Sequence, residues 1–215
     1  MSATHHPSDV LIAAYAAGTL PEAQALIVAT HGALCPLCRA RTRAFEAIGG
    51  EVLDGAAPLA LSAGAAERAL GRLRSAAPDI VPPPAPVSDL PRPLADYVPG
   101  GYEALRWRRH GARIATAPVA TSRDDGLSAF ILRVHPGSSV PRHGHRGVEL
   151  TLVLAGSYMD ELGRFARGDL EEIDGNVEHH PVAGPDGDCI CLVVTEGKLR
   201  LRGVLARLVQ RLTGI

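Results

Sequence analysis

The segment His31-Gly-Ala-Leu-Cys-Pro-Leu-Cys38 brings one imidazole and two thiols within eight residues, and it holds two of the four cysteines of the chain. A Cys-x-x-Cys pair can direct both sulfur atoms at one ion, because the backbone turns tightly between them. His31 lies about one helical turn before Cys35, so a single helix end can present all three side chains. The pattern therefore predicts a zinc site whose fourth ligand lies elsewhere in the chain.

Two other interpretations of these cysteines are a thioredoxin-like redox pair and two thiols in an apolar core. A redox Cys-x-x-Cys motif normally follows a β-strand, whereas the residues before Cys35 are alanine-rich and predict a helix. Pro36 also suits the first position of a helix that begins immediately after Cys35. Both features favour zinc.

The composition of the 215-residue chain excludes several classes of protein. Its hydrophobic content of 46% is enough for a sizeable core. Its net charge of −1 gives no electrostatic attraction to nucleic acid or to an anionic membrane. No apolar run approaches the ~18 residues of a membrane span, and the first residues lack a secretory signal. Two close cysteine pairs do not form a secreted disulfide framework. We expect a cytoplasmic protein that binds neither nucleic acid nor membrane directly.

Three parts of the chain differ in sequence pattern, and together they predict an α + β two-domain fold. Residues 1–80 predict a helical bundle of about four helices, stabilised by the zinc ion. Residues 81–93 are rich in proline and predict a semi-rigid linker. Residues 94–215 contain short β-type runs broken by Gly, Pro and Asp, which predict an antiparallel β-sandwich or barrel. The predicted helices span residues 8–18, 21–31, 36–50 and a segment within 61–77.

The fourth helical segment has an apolar stripe formed by Ala66, Leu70 and Leu73, with charged residues opposite. No obvious partner for this stripe exists within residues 1–80. It is therefore either a docking face for another protein or a surface that packs within the bundle.

A second dense group of polar residues is His143-Gly-His-Arg-Gly-Val-Glu149. Its three candidate ligands are odd-numbered, so on one strand they share a face, opposite Leu150, Leu152 and Leu154. A polar triplet that faces the interior of a barrel is costly unless something satisfies it. A divalent ion does so directly, and imidazole with carboxylate suits zinc, manganese, iron or nickel.

The spacing of this group resembles the first cupin motif. That motif is Gly, five residues, His-x-His, three residues, Glu, six residues, Gly, which this chain matches at Gly137, His143, His145, Glu149 and Gly156. The resemblance implies a C-terminal domain of cupin type that binds a metal ion.

The second cupin motif is degraded in this chain. The positions of its Gly, Pro, Gly, His and Asn hold Gly168, Asp174, Asn176, His179 and Ala183. His179 is thus the expected fourth ligand of the cupin site, after His143, His145 and Glu149. The adjacent His180 is the rival, but it precedes Pro181 and misses the spacing of the motif.

Cys189 and Cys191 lie in a predicted strand, so both sulfur atoms share one face. One interpretation is a pair of small, buried, apolar side chains. The other is a redox pair beside the metal, with oxidation of one thiol. Neighbours two residues apart on one strand are poorly placed for a mutual disulfide, which favours the buried pair.

Over its whole length the chain resembles the ChrR-type zinc-binding anti-sigma factors, which combine a zinc-binding helical domain with a C-terminal cupin. The resemblance rests on the two histidines before the first helix and on the segments YAAGTL, CRAR, PLADYV, HGHRGVELTLVL and CICL. In that family the fourth zinc ligand of the helical domain is a histidine near the N-terminus. His6 matches it, with His5 as the fallback, so the implied structural zinc site is His6, His31, Cys35 and Cys38.

The resemblance also implies a function. The helical domain of the family clamps an extracytoplasmic-function (ECF) sigma factor of the sigma-E kind, so we expect a 1:1 heterodimer and negative regulation of transcription. The metal of the cupin domain, expected here to be zinc with manganese, iron and nickel as alternatives, is needed to release the sigma factor under singlet oxygen or organic peroxide stress. No residue is expected to be catalytic.

The alternative is a metal-dependent cupin dioxygenase or isomerase with a zinc-stabilised oligomerisation domain. An enzyme needs a general acid or base beyond the metal ligands, and the nearby candidates are His135 and Tyr158. Thr151 and Val153, which follow Glu149 on its face of the strand, cannot do this chemistry. The pattern favours the regulator.

Overall fold

The structure is a computed structural model, and it describes residues 3–76, 88–122, 126–145, 147–197 and 200–201. Most of the predicted proline-rich linker and the last fourteen residues, 202–215, lie outside the described residues. Within the described residues, helices precede strands in the order that the sequence predicts.

The N-terminal part is helical, as predicted. Ser8 caps the first helix, because its Oγ accepts a hydrogen bond from the backbone N–H of Leu11 at 3.2 Å. Cys35, in an extended conformation, separates the second helix from the third, and Pro36 occupies the first turn of the third helix. The helices are α1 (Asp9–Ala16), α2 (Glu22–Leu34), α3 (Pro36–Asp54) and α4 (Ala65–Ser75).

Helix α3 is longer than predicted, because it continues through Gly49 and Gly50 and ends at Gly55. A glycine inside a helix costs only about 1 kcal/mol relative to alanine, and the backbone hydrogen bonds continue past it. The glycine pair therefore weakens the helix without ending it.

The β-rich part follows two short helical segments, α5 (Leu94–Tyr97) and a 3-10 helix (Gly101–Ala104), which the sequence pattern did not predict. The strands are β1 (Arg108–His110), β2 (Ile114–Val119), β3 (Leu127–Val134), β4 (His143–Gly144), β5 (Glu149–Ala155), β6 (Ser157–Met159), β7 (Arg164–Ala166), β8 (Leu170–Ile173), β9 (Glu178–His179), β10 (Val182–Ala183), β11 (Cys189–Glu196) and β12 (Arg200–Leu201).

Three antiparallel sheets build this part. The largest has the strand order β1-β2-β3-β11-β5-β8, and the two smaller sheets have the orders β10-β6-β7 and β12-β4-β9. The strand pairs are antiparallel throughout the described residues. The predicted antiparallel β-sandwich is therefore confirmed.

The large sheet has two differently occupied faces. Leu150, Leu152 and Leu154 on β5 are buried in a core that also contains residues of α1 and α2. Glu149 and Thr151, with the opposite parity, line a cavity inside the sandwich. The period of two that the sequence predicted for this strand thus separates the core face from the site face.

Helix α2 packs against the large sheet, where it contacts β11, β5 and β3. Leu26, Ile27 and Val28 are buried there in one apolar cluster with Leu150 and Leu192. The helical part and the sandwich therefore share a hydrophobic core. The division of the chain into two domains at residues 81–93 stays a prediction.

The prediction of one continuous strand through His143 and Glu149 is wrong in its details. His143 lies on β4 and Glu149 begins β5, and these two strands belong to different sheets. Histidine and glutamate still face the same cavity, because the sandwich folds the two strands around it.

Candidate metal centres

The first candidate centre lies where α2 meets α3. His31 on the last turn of α2, Cys35 between the helices and Cys38 in the first turn of α3 meet His6, which precedes α1. The ligand atoms of these four residues lie within 4.8 Å of one another. The structure thus brings together the four residues that the resemblance implied.

The distances in this cluster suit a tetrahedral ion. Nδ1 of His6 lies 3.5 Å from Sγ of Cys35 and 3.4 Å from Sγ of Cys38. A sulfur at ~2.3 Å and a nitrogen at ~2.1 Å from one tetrahedral zinc ion lie about 3.6 Å apart. The donor set, two thiols and two imidazoles, is typical of a structural zinc site.

Burial makes the first cluster unfavourable without an ion. His31 is fully buried, and neither ring nitrogen has a hydrogen-bond partner among the described residues. Burial and the neighbouring His6 lower the pKa of His31 to about 4, and burial together with Cys35 raises the pKa of Cys38 to about 12. An unsatisfied buried imidazole costs free energy that a bound cation would recover.

His5, the fallback ligand, points away from this cluster. Its ring packs on Phe165 with 4.3 Å between centroids, and its Nδ1 lies 3.6 Å from Oδ2 of Asp169. The geometry therefore distinguishes the two adjacent histidines, which spacing alone could not.

The second candidate centre is inside the β-sandwich. His143 on β4 pairs in register with His179 on β9, and Glu149 opens β5. With His145, these residues place four ligand atoms within 4.8 Å of one another. His180, the rival of His179, lies outside this group, and its backbone N–H donates to Glu161.

Three imidazole nitrogens of the second centre converge. Nε2 of His179 lies 3.1 Å from Nε2 of His143 and 3.4 Å from Nε2 of His145. Nitrogens at ~2.1 Å from one ion lie about 3.0–3.4 Å apart, depending on whether its geometry is octahedral or tetrahedral. The group therefore fits a divalent ion.

The electrostatics of the second centre favour neutral side chains. Burial, followed by the neighbouring His179, lowers the pKa of His143 to about 4, and burial with His143 lowers the pKa of His145 to about 3. Burial raises the pKa of Glu149 to about 8, although a hydrogen bond from Thr151 opposes this rise. Neutral imidazoles are ready to bind a metal ion, whereas the carboxyl must first lose its proton.

Behind the ligands lies a layer of hydrogen bonds that orients them. Nδ1–H of His143 donates to the carbonyl oxygen of Pro141 at 2.8 Å, so Nε2 faces the cluster. Nδ1 of His179 lies 3.0 Å from Oδ2 of Asp160, with the same consequence. Such partners fix the tautomer and ring orientation of metal-ligating histidines.

Glu171 on β8 completes this layer. The hydroxyl of Tyr158 donates to Oε2 of Glu171 at 2.7 Å, and that oxygen lies 3.7 Å from Nδ1 of His179. Oε1 of Glu171 is buried and has no hydrogen-bond partner among the described residues. Burial and the adjacent Asp160 raise the pKa of Glu171 to about 8.

Sequence reasoning missed Asp160 and Glu171. Glu171 is followed by Glu172, and nothing in the local pattern indicates that the first points into the sandwich while the second faces solvent. Tyr158 was named as a neighbour of the site, and it lies there. His135, named with it, instead pairs with Asp188 at 2.7 Å and is partly exposed.

A cavity of about 480 Å³ adjoins the second centre. Strands β2, β3 and β11 contribute apolar side chains to its wall, and His143, Glu149 and His179 also line it. Cys189 and Cys191 are buried in the wall as free thiols with 3.6 Å between the sulfur atoms. A hydrogen bond with Cys189 and burial raise the pKa of the Cys191 thiol, so it is held in the neutral form.

Fold and sites together define a class of protein, a cupin-type sandwich preceded by helices that bear a Cys₂His₂ cluster. Residues 100–199 match the family model described as the ChrR cupin-like domain. The anti-sigma-E factor ChrR of Cereibacter sphaeroides is 46% identical over 212 residues, with 98% of each chain covered.

A solved structure is similar over the same range. It is the crystal structure of Rhodobacter sphaeroides SigE in complex with the anti-sigma ChrR, with a TM-score of 0.77 and 45% identity, covering 90% of this chain and 99% of that chain. The chain therefore belongs to the ChrR family of anti-sigma factors. This membership confirms the prediction that the protein is a regulator. It does not support the alternative prediction of a cupin enzyme.

Proposed function

We propose that this chain sequesters an ECF sigma factor of the sigma-E kind as a 1:1 heterodimer and releases it under singlet oxygen or organic peroxide stress. In this proposal the helical cluster is a structural zinc site, and the cupin cluster is the sensor, with zinc as its ion. The protein acts in the cytoplasm. Among the described residues, every helix is too short or too polar to cross a bilayer.

The observation that carries this proposal is an exposed arm, residues 46–76, that includes the second half of α3 and all of α4. Its side chains face solvent, apart from a half-buried Ala65. The large apolar side chains on the arm are Ile48, Val52, Leu53, Leu59, Leu61, Leu70 and Leu73. Seven exposed large apolar side chains within one segment are typical of a surface that another protein covers. The relative crystallised with SigE supports a sigma factor as that partner.

A double substitution on α4, Leu70→Asp with Leu73→Asp, tests this proposal. We expect it to weaken binding of the cognate sigma factor by at least about a hundredfold, because two anchors of a buried interface each cost ~2 kcal/mol or more when removed. Both side chains are largely exposed, 49% for Leu70 and 73% for Leu73, so the melting temperature of the free chain should not fall. Co-purification and calorimetric titration with the sigma factor measure the effect.

The matched control is Leu162→Asp, an exposed leucine in the turn between β6 and β7 that is 51% exposed. This variant should retain full affinity for the sigma factor. Unchanged affinity of the α4 variant would remove the arm from the interface and with it the basis of the proposal.

The role proposed for the helical cluster follows from its surroundings. Two thiolates and two imidazoles neutralise Zn²⁺ and complete its tetrahedron, so the ion would supply stability and no open position for chemistry. Only a small apolar cluster, Ala3, Ile12, Cys35 and Cys38, surrounds it. The ion would tie together α1, α2 and α3, and α3 leads into the arm.

The role proposed for the cupin cluster follows from its charge and its cavity. Three neutral imidazoles and one carboxylate leave a divalent ion with a net charge of about +1 and room for a further ligand. The cavity of about 480 Å³ gives small molecules a place beside that ion. When bound, the ion would supply a Lewis-acidic position that an oxidant or its product can reach.

Metal binding at the cupin cluster should release close to one proton per ion at pH 7. In the empty cluster Glu149 has a pKa of about 8, so its carboxyl is protonated at pH 7, whereas the histidines with pKa values of about 3 and 4 are already neutral. Metal affinity should therefore rise up to about tenfold per pH unit and level off above pH ~8. Calorimetry in buffers of different ionisation enthalpy measures the proton count.

The control for this prediction is Glu149→Gln, which keeps an oxygen ligand but has no acidic proton. Its metal affinity should be lower and nearly independent of pH between about 6.5 and 8. Binding of the ion to the unmodified chain without proton release would show that no protonated Glu149 takes part in binding.

A further inference from the structure

Strand β8 lies between the two candidate metal centres. Its Glu171 points into the sandwich, where Oε2 accepts the Tyr158 hydroxyl at 2.7 Å and lies 3.7 Å from Nδ1 of His179. Asp169, which precedes the strand, and Glu172 both accept hydrogen bonds from the N-terminal segment. One four-residue strand thus connects the layer behind a cupin ligand with the residues around His6.

The N-terminal segment, residues 4–8, is attached to this strand by several hydrogen bonds. Oδ1 of Asp169 accepts the backbone N–H groups of Thr4 at 2.6 Å and of His5 at 3.0 Å. The backbone N–H of Leu170 donates to the carbonyl oxygen of His5 at 3.1 Å. At the far end the backbone N–H of Ser8 donates to Oε2 of Glu172 at 2.9 Å. These bonds hold the chain on both sides of His6.

A second contact path runs parallel to the strand. The ring of His5 packs on Phe165 at 4.3 Å between centroids, and Phe165 stacks on Tyr158 at 5.0 Å with 18° between their planes. Tyr158 is the residue that donates to Glu171. His5, the neighbour of His6, is therefore linked to Glu171, which lies behind the cupin ligand His179. The link consists of two ring contacts and one hydrogen bond.

We propose that β8 couples the two centres, so that a metal ion in the cupin cluster tightens the attachment of residues 4–8 and with it the helical cluster. The proposal rests on the proposed function in one respect, that both clusters hold metal. An ion would fix His179, and through it the Asp160–Glu171–Tyr158 layer. Ordering this layer restrains β8 and Phe165, and both hold the N-terminal segment. In this way a change at the sensor would reach the sigma-binding arm through α1 and α3.

Hydrogen exchange of the full-length chain tests the forward direction of this coupling. The amides of Thr4, His5, Ser8 and Leu170 donate the bonds described above, so their protection reports the attachment of the segment. Emptying the cupin cluster by His143→Ala, with zinc retained in the helical cluster, should speed exchange of these amides about tenfold, within the range usual for coupled sites. Metal analysis confirms which cluster has been emptied.

The second part of the test uses thermodynamic reciprocity between the two sites. Asp169→Asn and the milder Glu172→Gln weaken attachment of the segment, and neither residue belongs to the cupin cluster. If the sites are coupled, complete loss of attachment must lower the metal affinity of the cupin cluster by the factor with which metal protects the segment in the unmodified chain, about tenfold, and partial loss must lower it by less. Asp186→Asn, in the exposed turn before β11, is the control and should change neither quantity.

The outcomes separate this inference from the proposed function. Suppose that the unmodified chain holds both metals and binds its sigma factor. Equal exchange rates with the cupin cluster filled and with it empty would then overturn the coupling but not the proposed function. A cupin cluster that binds no divalent ion, or a chain that does not bind a sigma factor, would count against the proposed function instead. An unchanged cupin metal affinity in a variant, Asp169→Asn or Glu172→Gln, whose fast exchange shows that attachment is lost would also overturn the coupling, because the linkage must be mutual.

Discussion

Cys35→Ser should abolish metal binding at the helical cluster and release the sigma factor constitutively. Loss of one of four ligands removes most of the affinity, because a thiolate contributes charge as well as a bond. The binding free energy of structural zinc, about 10–16 kcal/mol in small domains, is also folding free energy. Without the ion His31 remains fully buried, and its two ring nitrogens have no hydrogen-bond partner in the part of the chain that the structure describes, so the junction of α2 and α3 should open.

Metal analysis and sigma-dependent reporter output measure this effect. The variant should lose one equivalent of zinc per chain and show full reporter activity without stress. The matched control is Cys189→Ser, because Cys189 is also buried but belongs to neither cluster. It should keep its metal content and its repression. Continued repression by a zinc-free Cys35→Ser chain would show that the cluster is dispensable for binding of the sigma factor.

Ile27→Ala should lower the free energy of unfolding by roughly 2–5 kcal/mol, the usual cost of truncating a buried isoleucine to alanine. Ile27 is fully buried in the cluster that joins α2 to the large sheet. We expect the substitution to destabilise the helical part and the sandwich together, since both contribute side chains to that core. Thermal unfolding followed by circular dichroism and by intrinsic Trp107 fluorescence should show one shifted transition.

Ile48→Ala is the matched control, because Ile48 lies on α3 and is 60% exposed. Its effect should stay within about 0.5 kcal/mol, as expected for an exposed position. If Ile27→Ala leaves the unfolding of the sandwich unchanged, the helices and the sheet are independent folding units. The same shared core predicts that a fragment of residues 1–80 exposes the apolar face of α2 and is less stable than the full chain.

Local spacing was sufficient to predict much of the fold and most of the candidate ligands. His31, Cys35 and Cys38 lie within eight residues of chain, so short-range backbone geometry is enough to bring them together. The alternation along β5 separates Glu149 from Leu150 and its partners, because side chains on a strand alternate between faces. The antiparallel sandwich and the helices followed from similar short-range patterns, although glycines were a poor guide to the end of α3.

Other features depend on contacts between residues that are distant in sequence. The choice of His6 over His5 follows from bonds across 164 and 165 residues between the N-terminal segment and Asp169. The inward direction of Glu171, and the layer that it forms with Tyr158 and Asp160, depend on how three strands meet. No local period contains this information.

The sequence by itself thus predicted the candidate ligands of both clusters, apart from the choice of His6 over His5, and it determined the order of helices and strands and the apolar stripe on α4. Only the tertiary structure decided that α2 packs on the sheet and that β8 stands between the two clusters. The physical reason is the range of the forces involved. Backbone geometry relates residues that are a few positions apart in the sequence. Burial of apolar surface, by contrast, brings together apolar side chains at any separation in the sequence.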